Sequence, residues 1–199
     1  MNYQTVLDYW FGELPDKTYF PQEKFKVWFG DSVEIDNEIR EKFEDILHIA
    51  KEGKLDHWKE TARGWLALLI VLDQFPRNIY RRRPEMFAFD HINLKLCLEG
   101  LDKKIDEQLF PVERVFFYLP LEHDENLEIQ KKSMHYFKKL WDQAPQELSK
   151  NMEMCYDYAL KHYKMIERFG RYPYRNKLLG RTSTSEEIEY LKEPGSSFI

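Results

Sequence analysis

Apolar residues recur along this chain at helical spacing. From Val33, the positions Ile35, Ile39, Phe43, Ile46, Leu47 and Ala50 fall on one face, and Gly53 supplies a left-handed stop. The stretch from Thr61 to Phe75 differs, because Trp65-Leu-Ala-Leu-Leu-Ile-Val-Leu72 is apolar on every side. That pattern requires a central, wholly covered helix, which Pro76 is expected to end. Pro84 suits the first turn of a following helix with Phe87, Leu94, Leu98 and Leu101 facing inward, and Pro111 suits the first turn of another over Val112 to Tyr118. Further helices are predicted from about Asn126 to Trp141 and from Gln146 to Phe169, the latter stopped by Gly170. Thr184-Ser-Glu-Glu187 fits a capping box that opens a short last helix over Glu186 to Leu191, and Gly195-Ser-Ser-Phe198 reads as a flexible tail. No segment alternates apolar and polar residues in the manner of a strand. The expectation is an all-α chain of about eight helices forming one domain over residues 1–199.

Composition narrows the class. With 43% hydrophobic and 16% aromatic residues over 199 positions, the chain has the material for a core of its own and is not a disordered segment. Cys97 and Cys155 form no motif and build no disulfide framework, which fits a reducing, cytoplasmic compartment. The first residues, Met1-Asn2-Tyr3-Gln4-Thr5, show no leader pattern, and the longest apolar run, Trp65 to Leu72, is too short to cross a bilayer, so no membrane partner is expected. A net charge of −5 argues against nucleic acid. The five tryptophans, Trp10, Trp28, Trp58, Trp65 and Trp141, read as core anchors.

Three polar places do not fit a bland helical reading. In Asp73-Gln-Phe-Pro-Arg-Asn78, a carboxylate near the end of the central helix meets the negative end of the dipole and calls for a cation, with Arg77 nearest. Asp73, Gln74 and Asn78 also suit the capping of a buried helix terminus. In Phe117-Tyr-Leu-Pro-Leu-Glu-His123, Pro120 is expected to break a helix just before an acid and an imidazole. Adjacent residues point in different directions, so Glu122 and His123 each need a partner from elsewhere to act as acid or base. From Lys161 to Arg181, seven basic residues face only Glu167, a local +6 that leaves −11 for the remainder. Arg168, Arg171 and Arg175 then form either an anion pocket or a solvated cationic face. The sequence Phe75-Pro-Arg-Asn78 is echoed by Tyr172-Pro-Tyr-Arg-Asn176, so Arg77 and Arg175 are expected at the same end of a stack of helix pairs.

Arg81-Arg-Arg83 reads as ordinary surface, and the scattered histidines His57, His91, His123, His135 and His162 show no metal-ligand spacing. No phosphate-cradling Gly-rich loop, His-Glu-x-x-His pair or nucleophile elbow occurs, so neither a metal nor a cofactor is expected.

Taken together, Asp8-Tyr-Trp-Phe-Gly-Glu13, Trp28-Phe-Gly30, Leu72-Asp-Gln-Phe-Pro-Arg-Asn78, Phe117-Tyr-Leu-Pro-Leu-Glu-His123, Glu167-Arg-Phe-Gly-Arg171, Leu179-Gly-Arg-Thr-Ser-Thr-Ser-Glu-Glu187 and Gly195-Ser-Ser-Phe198 carry a resemblance. The chain resembles the bacterial family known as domain of unknown function 924, over about residues 6–198. The resemblance implies one all-helical domain similar to tetratricopeptide-like superhelices, and no established activity. It also implies a His after the aromatic–proline pair, where this chain has Tyr174 before Arg175-Asn176.

Three functions remain open on the sequence. The favoured one is a binding module in which Asp73, Arg77, Asn78, Arg168, Arg171, Arg175 and Asn176 hold a small anionic metabolite or a peptide carboxylate. The second is an enzyme using Glu122 or His123 as general acid or base, with arginines stabilising negative charge. The third is a protein-interaction scaffold, with Phe20, Phe25, Phe110 and Phe116 as its apolar groove and homodimerisation as a further possibility.

Overall fold

The computed structural model describes residues 2–197, and among these no strand occurs. Nine helices follow one another among the described residues: α1 (Tyr3–Phe11), α2 (Phe25–Phe29), α3 (Val33–Lys51), α4 (Ala62–Ile79), α5 (Asp90–Asp102), α6 (Pro111–Glu122), α7 (Leu127–Gln143), α8 (Ser149–Phe169) and α9 (Ser185–Tyr190). The protein is all-α. Helix α4 is the hub and packs against α1, α3, α5 and α6, while α6, α7 and α8 lie side by side in chain order. Its residues from Gly64 to Pro76 are all buried, as an all-round apolar sequence demands.

Local chemistry accounts for most boundaries. The Ser32 side chain caps α3, which carries Glu34 and Asp36 in its first turn and His48 and Lys51 in its last, so charge and dipole agree at both ends. Gly53 has φ 73° just beyond that helix, and Gly170, at φ 67°, ends α8 with its N–H on Ile166 O at 2.8 Å. Pro111 stands in the first turn of α6. At α9, Thr184 and Glu187 form the capping box.

Several expectations are corrected. Pro76 does not end α4, which runs on to Ile79. A proline in the interior costs the helix one backbone hydrogen bond, yet the last turn is held from outside. Asn78 donates to Asp36 Oδ1 at 2.8 Å, and Arg40 donates to the terminal carbonyl of Ile79 at 2.7 Å. Pro120 likewise lies inside α6, which continues to Glu122. Here the Gln130 amide donates to the carbonyls of Leu121 and Glu122 at 3.2 and 2.8 Å, and the Tyr172 hydroxyl donates to Glu122 O. The helix expected from Pro84 is divided into a single 3-10 turn, Pro84–Phe87, and α5, which starts afresh at Asp90. Its buried face is Asn93, Cys97, Gly100 and Leu101, with Leu94 and Leu98 only partly buried.

Trp10, Trp28, Trp58 and Trp65 are core residues, and Trp141 packs partly buried against the same core. Phe116 is buried against Trp10, Phe11 and Trp28 and lines no surface groove. The tail turns back on α9, where Ser196 is buried and its hydroxyl donates to Leu191 O at 3.2 Å; Phe198 lies outside the described residues. No helix among the described residues is long and apolar enough to cross a membrane.

Candidate functional site

The continuation of α4 through Pro76 brings Asp73 and Arg77 onto one face, four residues apart. Arg77 Nη2 lies 3.2 Å from Asp73 Oδ1, and that carboxylate is only 2% exposed. The Gln74 side-chain amide donates to its other oxygen, and His123 Nδ1 lies 2.8 Å from Oδ1. Burial works against the Asp73 charge, but Arg77 and the hydrogen bonds from His123 and Gln74 overcome it and hold the carboxyl well below its usual range. Burial also pushes the His123 pKa down, reinforced by the Arg77 charge and resisted by Asp73. A neutral ring that donates Nδ1–H to Asp73 keeps Nε2 as its basic atom, and the His123 side chain remains 15% exposed.

Glu122 points elsewhere. Its Oε1 lies 3.3 Å from His162 Nδ1 on α8, a nitrogen that also bonds Tyr158 O at 2.9 Å. Burial, helped by the Asp73 charge, raises the Glu122 pKa to about 8, while burial depresses that of His162 to about 3. At neutral pH this pair therefore carries no charge, in contrast to the ionised Asp73. Glu122 and His123 are chain neighbours with partners on two different helices.

Arg77 and Arg175 come to the same place. Arg77 Nη2 lies 2.9 Å from Asp90 Oδ1, and Arg175 Nη1 lies 3.7 Å from Asp90 Oδ2. The Phe87 ring carries both guanidiniums, 4.6 Å from Arg175 and 5.7 Å from Arg77, and Tyr172 covers Arg175 at 4.4 Å. Tyr174, stacked on Tyr172 at 5.4 Å, adjoins Arg175 as well. Arg175 is 5% exposed, and its Nε–H, like that of Arg77, is buried without an acceptor among the described residues.

The other proposed ligand-binding residues lie elsewhere. Asn78 faces Asp36 and ties α4 to α3. Arg168 pairs with Glu186 at 2.8 Å and Arg171 with Glu187 at 2.6 Å, while Asn176 donates to Ser183 and Glu187. Arg181 is held by Glu125 at 2.6 Å. Arg168, Arg171 and Arg181 thus fasten α9 and the loop before it, and Arg175 is the arginine of the run that reaches the Asp73–His123 end. Arg81, Arg82 and Arg83 pair with Asp36, Asp31 and Glu85.

Asp90 and His162 belong to no motif that marks them as site residues, and the spacing of Phe87 marks it only as a core position. A helix start at Asp90 would have marked that carboxylate as a first-turn acid. His162 interrupts the apolar stripe between Ala159 and Ile166, which is the signal that could have found it. Two surface cavities, of about 400 Å³ beside Gln4 and Arg63 and about 560 Å³ along Lys131 and His135, contain none of these groups. Among the described residues, no cluster of His, Cys, Asp or Glu has the geometry to hold a metal ion.

Fold and site define an all-helical protein whose polar centre joins α4, the segment leading into α5, the end of α6, α8 and the loop after α8. The chain belongs to the DUF924 family, described as bacterial protein of unknown function, whose model matches residues 6–195. It is similar to a solved protein of unknown function from Agrobacterium tumefaciens, with 32% sequence identity, a TM-score of 0.80 and 96% of each chain covered. No curated protein matches it.

Proposed function

We propose that this protein binds a small ligand through an anionic group, a carboxylate or a phosphate, held by Arg77 and Arg175. The observation that carries the proposal is the convergence of these two arginines on the Phe87–Asp90 segment, each with a buried Nε–H that lacks an acceptor among the described residues. Arginine's planar fork suits either anion, and an aromatic ring against its face limits hydration of the charge. Asp73 and His123 stand at the same site through Arg77. The setting consistent with two free cysteines is the cytoplasm.

The test is a thermal-shift screen of carboxylates and phosphorylated metabolites on wild type and Arg175→Ala. A ligand at one hundred times its Kd adds about 2.7 kcal/mol, a rise of roughly 5–10 °C for a chain of this size. The rise is expected to vanish in Arg175→Ala. A rise that persists at full size in this variant would place the ligand elsewhere.

One observation favours a second reading, general-base catalysis by His123: Asp73 orients Nδ1 at 2.8 Å and keeps Nε2 as the basic atom. Incubating responding ligands in D2O and following deuterium uptake by mass spectrometry tests it. Uptake lost in His123→Gln supports a base there, and uptake unchanged by that substitution removes it.

A further inference from the structure

The arginine pair carries no surplus positive charge. Arg77 is answered by Asp73 at 3.2 Å and Asp90 at 2.9 Å, and Arg175 by Asp90 at 3.7 Å. Two guanidiniums face two carboxylates, while burial disfavours a charge on Glu122 and on His123. A purely anionic ligand would have to displace Asp90 from the arginines and leave that carboxylate without its cations.

A ligand that brings its own cation avoids that loss. Asp90 is the accessible acid of the group, its side chain 22% exposed, and its Oδ2 stands beyond hydrogen-bond distance from Arg175. Anion seat and cation seat are therefore adjacent, within the span of a molecule whose ammonium and carboxylate are separated by one carbon. Phe87 and Tyr174, both partly exposed, flank the arginines with aromatic surface.

We propose that the ligand is a zwitterion of the α-amino-acid class, its carboxylate taken by Arg77 and Arg175 and its ammonium by Asp90. This inference rests on the binding role of the arginine pair. Asp90 is then the residue that determines specificity, since it separates an amino acid from the corresponding plain acid.

The experiment is calorimetric titration of the full chain with each of the twenty L-amino acids, followed by the deaminated and decarboxylated analogues of the tightest one. Wild type is expected to bind the amino acid at least tenfold more tightly than either analogue. Asp90→Asn should erase the preference over the deaminated acid while still binding that acid, and Arg175→Ala should erase the preference over the amine. The wild-type series decides by itself should a variant fold poorly. A deaminated acid that binds wild type as tightly as the amino acid overturns the zwitterion and leaves anion binding intact. Absence of binding by all twenty amino acids overturns the zwitterion, and the thermal-shift screen of carboxylates and phosphorylated metabolites then decides separately whether the arginine pair holds an anion.

Discussion

Asp73 Oδ1 lies 2.8 Å from His123 Nδ1, a contact that spans 50 residues and joins the second-last turn of α4 to the residue that caps α6. Because Arg77 touches both Asp73 and Asp90, it extends this contact into a line from imidazole to carboxylate to guanidinium to carboxylate. The line begins at a part-exposed histidine and ends at a part-exposed aspartate, with the most deeply buried charge between them.

Removing that buried charge should cost more than removing the imidazole. Asp73→Asn keeps the shape but deprives Arg77 of one counter-ion, and a loss of about 3 kcal/mol is expected in urea unfolding. His123→Gln leaves the Asp73–Arg77 pair in place, so its loss should stay near 1 kcal/mol. Equal losses would show that His123 is as much a structural staple as Arg77.

Stability should vary with pH in a way that Glu122 and His162 set between them. Glu122 is protonated in the fold up to about pH 8 but ionises near 4.5 when unfolded, so over that interval the folded state binds more protons and stability falls as pH rises. His162 stays neutral in the fold down to about pH 3 but protonates near 6.5 when unfolded, so stability rises with pH from 3 to 6.5. The two slopes cancel between about 4.5 and 6.5. Above 6.5 only the Glu122 slope remains, a loss of about 2 kcal/mol by pH 8. Urea midpoints measured across this range should show the decline in wild type and its disappearance in Glu122→Gln.

Arg171 and Arg175, four residues apart, should separate cleanly. Arg171→Ala removes the grip on Glu187 and the carbonyl of Thr182, so limited proteolysis should cut faster between residues 180 and 197. Ligand-induced thermal shifts should survive in Arg171→Ala and disappear in Arg175→Ala. Loss of the shift in both would mean that the α9 fastening also shapes the site.

Gly100→Ala probes how tightly α5 presses on its neighbours. A methyl group there would stand 2.6 Å from the Phe117 ring and 2.9 Å from Trp65 Nε1, which donates to Leu96 O. Overpacking of this kind costs about 1–3 kcal/mol, and a melting temperature several degrees below wild type is the expected reading.

Fold class was legible because its signals are local. Stripes at helical spacing, the Ser32 and Thr184 caps, Pro111 in a first turn and the left-handed glycines at 53 and 170 depend on residues within a few positions of one another. The same locality explains the errors at Pro76 and Pro120. A proline is a stop signal by its own chemistry, but contacts from Arg40, Asp36, Gln130 and Tyr172, far away in the chain, carry each helix onward.

Residue type and spacing alone determined that Asp73, Glu122 and His123 needed partners, and the echo of Phe75-Pro-Arg-Asn78 in Tyr172-Pro-Tyr-Arg-Asn176 pointed to Arg77 and Arg175 at one end. Only the tertiary structure decided which partners those were. It gave His123 to Asp73 and Glu122 to His162, sent Arg168 and Arg171 to α9, and brought Asp90 between the two remaining arginines. The physical reason is that a charge is answered by whichever opposite group packing places within a few ångströms of it. Here that packing is set by the apolar faces of α4, α6 and α8, whose periodicity says how each helix is turned but not which distant polar group it will meet.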